Sequence, residues 1–457
     1  MDRIAAIVIA AGKGTRMKSN LAKVLHPVGG EPMVCWPVAA AQEVGAGTIV
    51  LVVGHQAQEV QQCFAGHGGI AFALQEEQLG TGHAVACAAN HLRGFRGTVV
   101  ILCGDVPLIR VDTLRAMLAC HEKRSAVVTV LTTQLDDPFG YGRVIKSDDG
   151  RVLHIVEEKD ADAEQKRIRE INSGIYCVEA EFLFDAVQNI TNENAQTEYY
   201  LTDIVKIAAD RGGLCVAYET RDVVEVMGVN DRVQLAAAGA ELRRRKNEEL
   251  MLGGVSIIDP ATAYIDKHVT IGADTLVYPG VSLVGQTRVG CGCVLEPGVV
   301  IKNCQVGDRV VVKAGSVLSD STIHDNVAVG PMAHLRPGTV LMSDVKIGNF
   351  VETKKMTMGK GSKASHLTYL GDATVGENVN IGCGTITCNY DGVNKHRTVI
   401  EDDVFVGSDV QLVAPVRVGR NSLIAAGTTV TTDVPPDSLA IARTPQVNKV
   451  GWKLKKK

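Results

Sequence analysis

The sequence predicts two folds in series, an α/β Rossmann-like domain followed by a parallel β-helix. Three observations carry this. The first half alternates short apolar runs with amphipathic stretches, the second half carries aliphatic residues at every sixth position, and a charged, alanine-rich stretch lies between them.

In the first half, "AAIVIA", "TIVLVVG", "GTVVILCGD" and "SAVVTVLTT" read as buried strands. "PMVCWPVAAAQEVGA" and "VDTLRAMLACHEKR" between them read as helices. Strands alternating with helices imply a mostly parallel sheet covered on both faces. In "VNDRVQLAAAGAELRRRKNEELMLGG", Asn230 or Asp231 suits a helix cap, and Gly253 and Gly254 suit its end.

The six-residue period starts at Ile271 and runs through Val277, Leu283, Val289, Leu295 and Ile301. After one-residue slips it resumes at Val306, Val312 and Leu318, then from Ile323 to Ile347, and later from Ile400 to Val430. Neither a helix nor a lone strand has that period. Each hexapeptide forms one flat side of a coil and points its aliphatic residue inward. "ETKKMTMGKGSKASHLTYLGDA" and "CNYDGVNKHRT" break the period, and both are expected to form loops on one face. The expected boundaries are 1–229 for the α/β domain, 230–252 for a linker helix, 253–437 for the β-helix and 438–457 for a tail.

Composition narrows the class of function. The 457 residues are 46% hydrophobic and 21% charged, with a net charge of −4, so nothing points to nucleic acid or a membrane surface. The basic "WKLKKK" is expected to be a solvated terminus. No signal peptide or bilayer-length apolar run is visible. The 12 cysteines are expected to be reduced, buried thiols, and Cys291 with Cys293 lacks a second pair or a histidine at metal-ligand spacing. A cytoplasmic location is the expectation.

The turn "AAGKGTRM" fails two known phosphate motifs. Met17 stands where a dinucleotide fingerprint needs its third glycine, and Gly14 follows Lys13 where a P-loop needs Ser or Thr. What remains is a strand, a glycine turn, Lys13 and Arg16, with Lys23 shortly after. Exposed backbone N–H groups and cations in such a turn can cradle phosphates. Asp105 follows an apolar run at the sheet edge where ligands bind, and a carboxylate there suits Mg²⁺. In the second half, His366 lies in a polar, lysine-rich interruption and suits a general base, while a solvated loop would account for the lysines equally.

These motifs, with "KVLHPVGG", "LQEEQLGTGHA", "GYGRV", "IVEEKDA", "EINSGIY" and "VMGVN", resemble the sugar-nucleotide pyrophosphorylases. Joined to a hexapeptide half, the whole chain resembles the bacterial bifunctional N-acetylglucosamine-1-phosphate uridyltransferases/glucosamine-1-phosphate N-acetyltransferases. The resemblance implies a nucleotidyltransferase domain and a left-handed parallel β-helix acetyltransferase domain. It implies Mg²⁺, UTP and acetyl-CoA, a homotrimer, and a product, UDP-N-acetylglucosamine, that feeds cell-envelope polysaccharides. By resemblance, Ala10, Ala11 and Gly12 meet the nucleotide, Arg16 and Lys23 the phosphates, and Gln75, Gly80 and Thr81 the uracil. Gly140, Glu157 and Asn172 hold the sugar, and Asp105 and Asn230 the metal. In the second half, Arg336, Lys354, Tyr369, Asn380 and Asn389 bind glucosamine-1-phosphate. His366 is the base, oriented by Glu352, and the Tyr390 N–H is the oxyanion donor. Cys383, Ser408, Ala426 and Arg443 meet acetyl-CoA. Two departures stand out. Cys103 replaces a tyrosine of familiar members, and Cys383 replaces an alanine. Two other readings compete: a single-activity pyrophosphorylase with a structural rod, and a non-catalytic scaffold.

Overall fold

The computed structural model describes residues 4–452, so the basic tail beyond Trp452 lies outside the described residues. Two units divide between Leu242 and Arg243.

The first unit is built on a sheet whose strands are ordered Cys215–Glu219, Val128–Gln134, Glu170–Glu179, Thr98–Cys103, Ile4–Ile9, Thr48–Val53 and Ile70–Leu74. All pair in parallel except Glu170–Glu179, which runs antiparallel to both neighbours. The central strands are apolar on both faces because helices cover both sides. From Ile4–Ile9 the chain winds outward through Thr48–Val53 and Ile70–Leu74, then returns to place Thr98–Cys103 on the other side. The direction of winding therefore reverses between Ile9 and Cys103. A crevice forms at such a reversal, beyond the carboxyl ends of the strands.

The helix Arg232–Leu252 starts where Asp231 Oδ1 accepts the N–H groups of Val233 and Gln234 at 2.9 and 2.8 Å. It ends where Gly254 turns left-handed, and the Val255 N–H returns to Leu250 O.

The second unit is a stack of coils with three faces. One face is a nine-stranded parallel sheet. The other two merge into a 19-stranded sheet, because the long strands Lys346–Lys354 and Lys363–Gly371 run past a corner. Val277, Leu295 and Val312 stack as one inward column and Leu283 and Ile301 as a second, and all five are fully buried in the same core. Aspartates tie successive corners. Cys291 N–H donates to Asp308, 17 residues on, and Asp308 N–H donates to Asp325, again 17 on.

Two expectations are corrected here. The stretch from Glu352 to Ala373 is not a loop: it pairs in register as part of two regular coils. The aliphatic period fails there because Thr353, Ala364 and Met358 fill the inward positions. Thr353 tolerates full burial because its hydroxyl meets that of Thr339 at 2.9 Å. The second break is a true loop. Glu377 N–H reaches its aspartate, Asp402, only 25 residues on, so this coil carries extra chain around Asn389–Arg397. The cysteines are all free, but they are not uniformly buried: Cys291 and Cys383 are exposed.

Candidate active sites

At the reversal point of the first unit, four predicted side chains meet. Lys23 Nζ lies 2.5 Å from Asp105 Oδ2 and 3.3 Å from Asn230 Oδ1, and Arg16 donates to the same Asn230 oxygen at 2.9 Å. Gly14 makes this approach possible. It is left-handed, and a Cβ there would stand 2.4 Å from Lys23 Cβ. Asp105 is set by its strand, with Gly104 N–H bonded to Ile9 O, and Asp105 O accepts from Val229 N–H. Ala10 and Ala11 are buried at the end of the first strand, whereas Gly12 and Arg16 are exposed.

Gln75 follows the strand Ile70–Leu74 and is buried. Its amide donates to Gly80 O at 3.1 Å and faces His83 Nδ1 at 3.1 Å. Thr81 Oγ1 accepts from Leu201 N–H. The Gln75, Gly80 and Thr81 group is thus one local cluster.

A third group lies along the antiparallel strand. Asn172 N–H donates to Gly142 O, and Thr202 donates to Glu157 at 3.2 Å. Burial pushes the Glu157 carboxyl above its ordinary range, with Asp160, Asp203 and Glu198 adding to the effect. Gly140 N–H reaches Glu158, whose carboxylate also accepts from Arg143 at 2.6 Å. Arg143 is 2% exposed, and the local pattern "GYGRV" does not reveal its role because its carboxylate partner lies 15 residues on. Cys103 approaches Gly174 O at 3.4 Å, and burial, then the Asp105 charge, pushes its thiol up to about 12. Cys103 is therefore a thiol at neutral pH.

The second unit holds two groups. In the first, Arg336 pairs with Glu352 at 2.7 Å, and Asn389 donates to Asp372 at 2.5 Å. A Cβ on Gly371 would touch both Tyr369 Oη and Asn389 Nδ2, so those two side chains flank one point. Lys395 beside Lys354, with Arg336 and Lys355, holds the Lys354 ammonium below the ordinary lysine value. This crowding of cations favours an anion. Lys395 and Asp372 were not singled out from sequence. The loop bearing Tyr390 is braced by Asp391, which accepts from Val393 N–H, Asn394 N–H and His396 and is pushed down to about 2.

The other group is a corner column. Gly384 N–H bonds Leu367 O, Asp409 N–H bonds Cys383 O, and Gly427 N–H bonds Ser408 O. These ties stack His366, Cys383, Ser408 and Ala426 coil upon coil, and Arg443 lies against Gly427. Asn380 sits opposite Lys363 in the ladder and joins neither group through a side-chain bond. One reading is corrected: Glu352 does not orient His366. It faces Arg336, while His366 Nδ1 faces Asn349 Oδ1 at 2.8 Å. No cluster of three or more His, Cys, Asp or Glu at metal spacing exists among the described residues. Nor is any helix there long and apolar enough to cross a membrane.

Comparison with known proteins bears on both halves. Residues 6–170 match the MobA-like NTP transferase domain, 257–358 the GMPPB C-terminal domain and 397–432 the bacterial transferase hexapeptide. The bifunctional protein GlmU of Geotalea uraniireducens is 66% identical over the whole of both chains. The GlmU proteins of Geobacter sulfurreducens and of an Exiguobacterium species are 64% and 50% identical, over at least 99% of each chain. The chain belongs to the GlmU family. It is a bifunctional transferase, with an N-terminal nucleotidyltransferase domain and a C-terminal hexapeptide acetyltransferase domain. Both competing readings, the single-activity enzyme and the scaffold, fall with that assignment.

Proposed function

We propose that the chain N-acetylates glucosamine-1-phosphate with acetyl-CoA and then couples the product to UTP, releasing pyrophosphate and UDP-N-acetylglucosamine. The observation that carries this reading is the convergence of Arg16, Lys23, Asp105 and Asn230 at the winding reversal.

In nucleotidyl transfer, a phosphate oxygen of the sugar-1-phosphate bonds to the α-phosphorus of UTP, and the bond to the β-phosphate bridge breaks. Such a step needs positioning and charge neutralisation rather than a protein nucleophile. Arg16 and Lys23 supply fixed positive charge. Ala10, Ala11 and Gly12 offer backbone to the nucleotide, Gln75, Gly80 and Thr81 read the base, and Gly140, Glu157 and Asn172 hold the sugar. The donor set at Asp105 and Asn230 fits Mg²⁺: two hard oxygens already face one common cation, the Lys23 ammonium. Bound there, Mg²⁺ supplies neutralisation of the triphosphate.

For acetyl transfer, the amine nitrogen attacks the thioester carbonyl carbon. His366 takes the amine proton, the Tyr390 N–H donates to the developing oxyanion, the C–S bond breaks, and the thiolate receives the proton. Arg336, Lys354, Tyr369, Asn380 and Asn389 hold the sugar phosphate, and the column of Cys383, Ser408, Ala426 and Arg443 holds the acetyl-CoA. Assembly as a homotrimer and a cytoplasmic location, where UTP and acetyl-CoA are available, belong to the same proposal. The test is to assay the wild type for pyrophosphate and thiol release, each with and without EDTA. The expected outcome is both products, with EDTA abolishing only pyrophosphate release. Failure to release thiol would refute the acetyl-transfer half.

A further inference from the structure

The histidine column contains a residue to which no role has been given. Asn349 lies directly opposite His366 in the parallel ladder between Lys346–Lys354 and Lys363–Gly371. Its Oδ1 is 2.8 Å from His366 Nδ1. The backbone is shaped to bring it there. At Gly348, any Cβ would stand 1.7 Å from the carbonyl oxygen of Ser365, the residue before His366. Phe350, which follows Asn349, is left-handed at φ 56°. Only glycine allows the two strands to close at this point, and the corner that follows turns the chain immediately after Asn349.

An amide oxygen only accepts hydrogen bonds, so the ring nitrogen that faces it carries the proton. A histidine with Nδ1 protonated keeps its lone pair on Nε2. The partner at one nitrogen thus decides which nitrogen can act as a base. We infer that Asn349 is a positioning residue for acetyl transfer: its Oδ1 holds His366 in the Nδ1–H tautomer and aims Nε2 at the amine. The inference rests on the proposed base role of His366. Asparagine also differs from the carboxylate often found behind a catalytic histidine. It fixes the tautomer without adding a negative charge, so the imidazole is oriented while the site stays open to anionic substrates.

The experiment uses the full-length enzyme with Asn349→Ala, Asn349→Asp and His366→Ala. Far-UV circular dichroism and an unchanged urea midpoint of the second unit check that each variant is folded. For Asn349→Ala, kcat for thiol release is expected to fall about ten- to a hundredfold, the usual cost of losing a group that orients a histidine, with KM for glucosamine-1-phosphate unchanged. Asn349→Asp, which also accepts from Nδ1, should recover most of that loss. In protein labelled with ¹⁵N-histidine, the His366 signal should report Nδ1–H in the wild type and mixed tautomers in Asn349→Ala. A kcat within twofold of wild type in Asn349→Ala, or a loss confined to KM, overturns the inference if His366→Ala is inactive. An active His366→Ala instead refutes the base role itself, so the two failures are distinguishable.

Discussion

At the scale of single residues, Glu157, proposed to hold the sugar, carries a cost in stability. Its carboxyl is held above the ordinary value of 4.5, chiefly by burial. Below pH 4.5 it is protonated in both folded and unfolded chains and costs nothing. As pH rises past 4.5, the unfolded chain releases the proton before the folded one does, and stability falls until the raised value is passed. Glu157→Gln should therefore raise the melting temperature of the first unit by about 2 °C at pH 7, with the gain vanishing near pH 4. The same change should raise KM for N-acetylglucosamine-1-phosphate about tenfold, because an amide replaces the carboxyl group that meets the sugar. Calorimetry and pyrophosphate release measure the two effects, and an unchanged KM would remove Glu157 from the sugar site. Residues of the candidate sites differ in how far the sequence reveals them. Arg16, Lys23 and Asp105 follow strands or glycine turns, so local pattern revealed them. Arg143, Lys395 and Asn349 act through partners 15 or more residues away or through a coil below, which no local pattern encodes.

At the scale of elements, the β-helix is held by repetition. Its inward column is apolar, but each corner also needs its backbone N–H groups satisfied. Asp325 meets that need for the coil before it by accepting from Asp308 N–H at 2.8 Å. Asp325→Ala should destabilise the second unit by about 1 kcal/mol, the usual worth of one such bond, and urea unfolding should show a lower midpoint with an unchanged slope. An unchanged midpoint would mean that water replaces the carboxylate at no cost. The hexapeptide period was readable wherever the inward residue was aliphatic. It is hidden between Glu352 and Ala373, where Thr353, Ala364 and Met358 take those positions. A buried threonine looks like a loop residue until its partner, Thr339, is known. In the first unit, the parallel strands stood out as continuous apolar runs. The antiparallel direction of Glu170–Glu179 did not, because direction depends on the connections rather than on the residues of the strand.

For the whole molecule, the proposed groups of each reaction fall within a single unit. The groups around Asp105, including Lys23, Arg16 and Asn230, all belong to residues before 243, and those around His366 all belong to residues after it. Neither proposed reaction draws a side chain from the other unit of the same chain. The two activities should therefore fail separately. Asp105→Ala should lower pyrophosphate release at least a thousandfold, since it removes the anionic oxygen from the proposed Mg²⁺ pair, while thiol release stays within twofold of wild type. His366→Ala should lower thiol release by about a hundred- to ten-thousandfold, the range expected for losing a general base, and leave pyrophosphate release intact. Mixing the two inactive variants should then restore the full conversion of glucosamine-1-phosphate to UDP-N-acetylglucosamine, because the N-acetylated intermediate can leave one protein and enter another. A mixture that stays inactive, although each variant keeps its remaining half-reaction, would show that the intermediate does not pass through solution, and the two sites would have to be treated as one catalytic unit.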